Sequence, residues 1–356
     1  MKRLSIAVLV IILSLPVLAN AAPLAGMPPV LDPNNIYAAD SPNNLSEVVK
    51  GDPELVYVPN FRSATVSVID PKTYKIIKTI KTHAGPQHIV PSWDLKTLWV
   101  NDNKGNYLTP IDPKTVTAQK DVYVHDPYNL YFTPNGKYAV VMAEADKQIV
   151  FRDPQTMAIK KTLKVPCDGV NHADWTADGN QFVATCEFTG KLILVDTPKM
   201  KLLKVATLPK KTEMNPMPQD IKISPDGKTY YIADMASNGI WVMPVNKFGH
   251  FTFIRTGKGA HAFRSAGDGR HVFVSNRVAN TISRIDLQTF SVVATYPAPG
   301  GPDCMDLMAD GKTILVTSRW ARKLTVIDLA SKKIVRQVPV GKSPHGVWTL
   351  DHAPRQ

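Results

Sequence analysis

Cysteine is scarce, at three in 356 residues, and the short motifs that announce common chemistries are missing. There is no G-x-S-x-G nucleophile turn, no H-E-x-x-H zinc pair, no phosphate-cradling glycine loop and no C-x-x-C-H attachment for c-type haem. The sequence therefore makes no direct case for a serine hydrolase, a helix-borne metalloprotease, a nucleotide-dependent enzyme or a c-type cytochrome. Helical periodicity is also absent, which argues against a helical bundle. Beyond the first residues no apolar run approaches the roughly 20 residues that a spanning helix needs, so no membrane span is expected.

What is present begins with a leader. In "MKRLSIAVLVIILSLPVLANA", Lys2 and Arg3 precede an apolar run from Ile6 to Leu18, followed by the small-x-small triplet Ala19-Asn20-Ala21. This reads as a secretory signal peptide over residues 1–21, cut after Ala21. The run is too short for an anchor, and Pro16 interrupts it. The mature chain is expected in a bacterial periplasm, as a monomer. Its formal charge falls from +12 to +10 once Lys2 and Arg3 are removed. The lysines are scattered through turns and exposed strands such as "DPKTYKIIKTIK", which suggests a soluble basic surface and no nucleic-acid partner. Residues 22–50, rich in Pro and Asn, read as a tether or edge-covering arm.

Internal repetition dominates the rest. "SVIDPKTYKIIKTI" at Asp70 recurs around Asp112, Asp153, Asp196, Asp286 and Asp328, with a degenerate copy, "WVMPVNKFGHFTFI", at Pro244. The anchors are separated by 42, 41, 43, 48, 42 and 42 residues. Each unit runs from a Gly/Pro turn into a short strand, a "SPDGKT"-like hairpin, an apolar strand, a third strand ending at the anchor, and a fourth. Units of about 40–45 residues with four strands are the signature of propeller blades. The expected fold is all-β: a seven-bladed β-propeller over residues 51–352 with four-stranded antiparallel blades. The late segment "GKSPHGVW" (341–348) is expected to supply a strand to the blade begun at Glu54, closing the ring.

The segments "GKSPHGV", "SPDGKTYYIAD" and "LTVIDLASKKIVRQVPVG" resemble the YVTN family of β-propeller repeat proteins, over roughly Glu54 to Leu350. The resemblance implies the fold and leaves the activity open, because such propellers serve many functions. Similar periplasmic propellers accompany the special haem of nitrite reductase or quinone-dependent alcohol oxidation.

Repeats permit a positional comparison. Six residues before each hairpin Asp or Asn stand His88, Asn129, His172, Asp220, Cys304 and His345; allowing one extra residue in the sixth copy, His261 joins them. This column is expected to surround the mouth of the central channel. The loop after each second strand returns to the same face with Asp102, Glu144, Cys186, Glu187, Asp234, Asn276, Arg277, Ser318 and Arg319. Convergent polar groups over a concave axis make a candidate binding site. A His in such a turn can equally cap the turn or bond to a neighbouring blade. His88, His345 and Cys304 come from blades adjacent on ring closure and form a candidate ligand set for copper or zinc. Cys167 and Cys186 fall on the mouth face of one blade and are a candidate disulfide, the alternative being two separate thiols.

Three functions follow as expectations. The first is a non-enzymatic scaffold that binds a small molecule or a periplasmic protein through the mouth. The second is a metal- or modified-haem-binding protein, in which His side chains are axial ligands and Arg264, Arg277 and Arg319 pair with carboxylates of a haem-type macrocycle. A propeller-type lactonase or lyase is the third, and would need an acid/base pair such as His261 with Glu187 or Asp234.

Overall fold

The repeated Asp anchors close turns. In the computed structural model, which describes residues 31–32, 34–40 and 44–350, the Asp70 carboxylate accepts from Lys72 N at 2.9 Å and Thr73 Oγ1 at 2.8 Å, and Asp112, Asp153, Asp286 and Asp328 likewise accept from backbone N–H groups just downstream. Such Asx turns substitute a side chain for a backbone acceptor. The leader and Asp351 lie outside the described residues.

These turns join strands into seven antiparallel blades. Blades two to seven begin at Pro86, Asn129, Val170, Pro218, Ala260 and Pro302 with their innermost strands. Blade one is composite: Val56–Asn60, Thr65–Asp70 and Lys75–Lys81 come from the start of the propeller, and Trp348–Thr349 from its end. Tyr57 pairs with Trp348 and Val56 with Thr349, so the expected closure is present. In blade two the outer edge is split into Thr117–Ala118 and Val122–Tyr123.

Apolar side chains alternate along the strands and meet between blades. Among the described residues the core falls into seven clusters, one at each blade–blade interface. Between blades three and four, for example, Phe151 packs toward Phe182 and Trp175. Each blade is thus stabilised on both faces by its neighbours. The arm contacts the face opposite the mouth: Ile36 N donates to Pro225 O at 2.7 Å and Tyr37 OH to Ile223 O at 2.8 Å. No helix among the described residues is long and apolar enough to cross a membrane.

Candidate functional site

Each innermost strand starts at the mouth, and in blades two, four, five, six and seven it carries a β-bulge there. In blade two Pro86 pairs with Asp102 and Ile89 with Val100, so Gln87 and His88 together oppose one residue. The same shift brackets Asn171 and His172, Gln219 and Asp220, His261 and Ala262, and Asp303 and Cys304. A bulge re-aims side chains that regular alternation would send to opposite faces. Two successive residues in each of these five blades therefore face the axis, one nearer the mouth than the other.

This corrects the single column. Blade six has no extra residue: Phe263 pairs with Val274 as Met305 pairs with Val316, which puts Ala262 in the position of His88 and Cys304, with His261 one step nearer the mouth. The bridge from Asn60 to Pro344 and the pairing of Tyr57 with Trp348 place His345 in that mouth-side ring as well. The mouth-side ring holds Gln87, Tyr128, Asn171, Gln219, His261, Asp303 and His345, all buried. Beneath it a cavity of about 180 Å³ is bordered by His88, Asn129, His172, Asp220, Ala262, Cys304 and Gly346.

Asp303, absent from the sequence column, organises the mouth-side ring. Its carboxylate accepts from Arg277 at 2.6 Å and Arg319 at 3.0 Å, and lies 3.0 Å from His261 Nδ1 and 3.8 Å from His345 Nε2. Burial opposes its ionisation, but the Arg277 and Arg319 guanidiniums outweigh burial and hold the carboxyl well below the usual range. His261 Nε2 sits 2.5 Å from the Arg277 guanidinium, which can only donate. That nitrogen is therefore the acceptor, and Nδ1, 3.0 Å from Asp303, is left without a hydrogen bond. Burial, with the nearby guanidinium, accordingly pushes the His261 imidazole far below its ordinary value.

The inner ring is less satisfied. His172 Nδ1 is held near Asn129 Nδ2 at 3.3 Å, Tyr131 OH at 3.4 Å and Asp220 at 3.6 Å. His88 Nε2 and His172 Nε2 are buried without a partner. The rings of His88 and His345 meet edge to face at 4.7 Å, and Cys304 Sγ lies 3.8 Å from His345 Nδ1. The ligand atoms of His88, Cys304 and His345 all lie within 4.8 Å of one another, as do those of His261, Asp303 and His345. In the second set Arg277 already occupies His261 Nε2 and one oxygen of Asp303. In the first, His88 Nε2 has no partner and Cys304 Sγ and His345 Nδ1 touch only each other; burial holds His88 and His345 neutral, with pKa values well below the ordinary range, and pushes the Cys304 thiol up.

Around the mouth, Glu187 accepts from Asn171 at 2.8 Å, and Glu144 has a buried oxygen without a partner. Burial, then Glu187 and Asp126, raise the Glu144 carboxyl to about 8. Residues one position earlier, at the ends of the second strands, serve the frame. Asp234 is fully buried and accepts from Met217 N at 2.9 Å, Ser237 Oγ at 2.6 Å and Trp241 Nε1 at 2.9 Å. Asp102 bonds to Thr109, Asn276 to Gly257 N and Ser283, and Ser318 to Thr325. Cys186 is joined to Cys167 by a disulfide with Cα atoms 6.0 Å apart. Neither Asp234 nor Glu187 bonds to His261, so the acid/base pair sought for a lactonase is not assembled. Arg264 lies farther down its strand, 3.0 Å from Asp306.

Strand order, closure and the polar axis together define a seven-bladed β-propeller with a doubly ringed channel. The chain belongs to the YNCE-like β-propeller family, whose family model matches residues 13–355. No curated protein matches the sequence significantly. Solved structures share the fold at low identity. A functionally unknown protein from Desulfotomaculum acetoxidans is 15% identical with a TM-score of 0.70, over 83% of this chain and 98% of that one. Hydrazine synthase from Kuenenia stuttgartiensis is 20% identical with a TM-score of 0.63, over 75% and 92%. Dihydro-heme d1 dehydrogenase NirN, in complex with DHE, is 14% identical with a TM-score of 0.62, over 87% and 77%.

Proposed function

We propose that this chain is an exported, non-enzymatic binding protein of the periplasm whose channel holds a copper ion between His88, Cys304 and His345. The observation that carries this reading is the convergence of two buried, neutral imidazoles and one half-buried thiol within 4.8 Å in the channel. Ligands around one ion at ~2.0–2.3 Å stand roughly 3.3–3.8 Å apart, so Cys304 and His345 are already spaced for it and His88 needs a small movement. A His₂Cys set suits copper. Asp303, facing His345 Nε2, would orient that ring from behind, as carboxylates do in metal sites. When bound, copper supplies a soft Lewis-acid or one-electron redox centre; the chain's own residues bind it and exclude water.

A haem-type macrocycle fits poorly. The cavity of about 180 Å³ is smaller than the ~300–1,000 Å³ of sites for molecules of that kind. Arg277 and Arg319 are also committed to Asp303. The test is titration of the purified protein with Cu(I) against a chelating dye, and with Cu(II) while following the thiolate-to-copper band. Stoichiometric binding is expected, weakened at least about a hundredfold by Cys304→Ser and by His88→Ala. Zinc bound more tightly than copper would reassign the ion; binding unaltered in both variants would sink the site.

A further inference from the structure

The sequence scatters its cations, but the fold gathers some of them. Six mouth loops run consecutively around blades six, seven and one: residues 256–259, 277–280, 298–301, 319–322, 340–345 and 61–64. They contain Lys258, Arg277, Arg319, Arg322, Lys342 and Arg62, and no carboxylate. Arg277 and Arg319 are held by Asp303, whereas Lys258, Arg322, Lys342 and Arg62 are exposed, with no carboxylate within 4 Å among the described residues. Across the axis, the mouth loops of blades three and four carry the opposite sign, with Asp126, Glu144, Asp146, Asp168 and Glu187 against a single cation, Lys147.

The basic arc also presents apolar surface. Trp320 is 59% exposed and Val278 52% exposed. Neither is a loose side chain. A Cβ added to Gly301 would stand 2.6 Å from the Trp320 ring, and one added to Gly259 would stand 2.8 Å from Val278, so each lies flat on the glycine of the preceding loop. Phe61 belongs to the same arc, with the Arg319 guanidinium 5.6 Å from its ring centre. An exposed tryptophan seated on a glycine, in an arc of loops that carries four unpaired cations, costs little entropy to bind and favours contacts that combine carboxylates with an apolar side chain.

We propose that this arc of blades six, seven and one is the docking surface for an acidic protein, which places carboxylates against Arg62, Lys258, Arg322 and Lys342 and an apolar side chain against Trp320. The acidic loops of blades three and four repel the same partner and fix its orientation, since like charges facing each other across an interface oppose the wrong pose. The surface stands above His345 and Cys304 but does not depend on a metal being there.

The test uses a fluorescein-labelled peptide of alternating glutamate and phenylalanine, with a lysine-for-glutamate counterpart, against the mature protein. The acidic peptide is expected to bind, with an affinity that falls as salt is raised. The double variant Arg322→Glu with Lys342→Glu, and separately Trp320→Ala, should each weaken it about tenfold. Lys204→Glu, on an outer strand away from the mouth, should leave it unchanged. Melting curves establish that all variants are folded. No binding at low ionic strength, or equal binding by the arc variants, overturns the proposal. Tighter binding of a single-stranded oligonucleotide or of phosphatidylglycerol vesicles overturns it in favour of that ligand. Cys304→Ser should retain the peptide, so failure of the copper site and failure of this surface give different results.

Discussion

Asp303 shows what residue-level reading of a repeat reaches and where it stops. The column of polar residues was visible in the sequence, and with it His88, His345 and Cys304, which the structure brings together. The residue that ties the mouth-side ring was not. It stands directly before Cys304, but a strand read with strict alternation assigns consecutive residues to opposite faces, and nothing local marks the bulge that turns both toward the axis. The clue was comparative: Gln87, Asn171, Gln219 and Asp303 are all polar at the same place in their copies. Glu144 provides a prediction at this scale. Burial and Glu187 raise its carboxyl from 4.5 to about 8, so the folded state retains a proton that the unfolded chain has lost. Stability from this group is therefore intact below about pH 4.5 and declines as pH rises toward about 8, by an amount on the order of a few kcal/mol. Glu144→Gln mimics the neutral form. It should leave the melting temperature nearly unchanged at about pH 5 and raise it by several degrees at about pH 9; equal effects at both would contradict a proton held in the fold.

At the scale of the element, the anchors and hairpins gave the strands away because their turns need particular residues. Asp at the end of the third strand caps the turn, and the Asp-Gly and Asn-Gly pairs supply positive φ, as at Gly179 with φ 68°. What composition did not reveal is that the outer turns also use the left-handed region without glycine. Tyr74, Val116, Met157, Met200, Phe290 and Lys332, each four residues after its anchor, have φ between 49° and 58°. The disulfide was open from sequence, since two thiols on one face need not meet. It joins the loop entering blade four to the end of that blade's second strand, next to Glu187, with a separation of 19 residues. A cross-link over a loop of that size removes about 3 kcal/mol of unfolded-state entropy. Cys167→Ser with Cys186→Ser should lower stability in urea by about that amount. Identical urea curves for the oxidised protein and the variant would mean that the bond carries no stability.

For the whole molecule, stability depends on every interface being present, because each blade has few contacts beyond its two neighbours. Losing the last strand would leave the Val56–Asn60 edge of blade one unpaired, and an open ring would uncover the facing surfaces of blades one and seven. Closure rests on a small segment. Trp348 and Leu350 are 7% and 3% exposed, and pack with Tyr57, Val66 and Val68 in the cluster between blades one and two. Backbone bonds add to this, from Phe61 N to Ser343 O and from Arg62 N to Lys342 O, both 3.0 Å. The pattern of repeats made this clasp legible, since a Gly-Pro-His turn with an apolar strand start and no blade to follow has a place only beside the incomplete first blade. Trp348→Ala should cost about 3–5 kcal/mol by leaving a cavity in that cluster. Ending the chain after Lys342 removes the whole strand, with a loss on the order of the 5–15 kcal/mol that holds a typical domain together. It also removes His345 from the axis. The truncated protein should therefore melt far below the intact one or fail to accumulate, whereas a truncation that melts with the intact protein would show that the ring holds without its clasp.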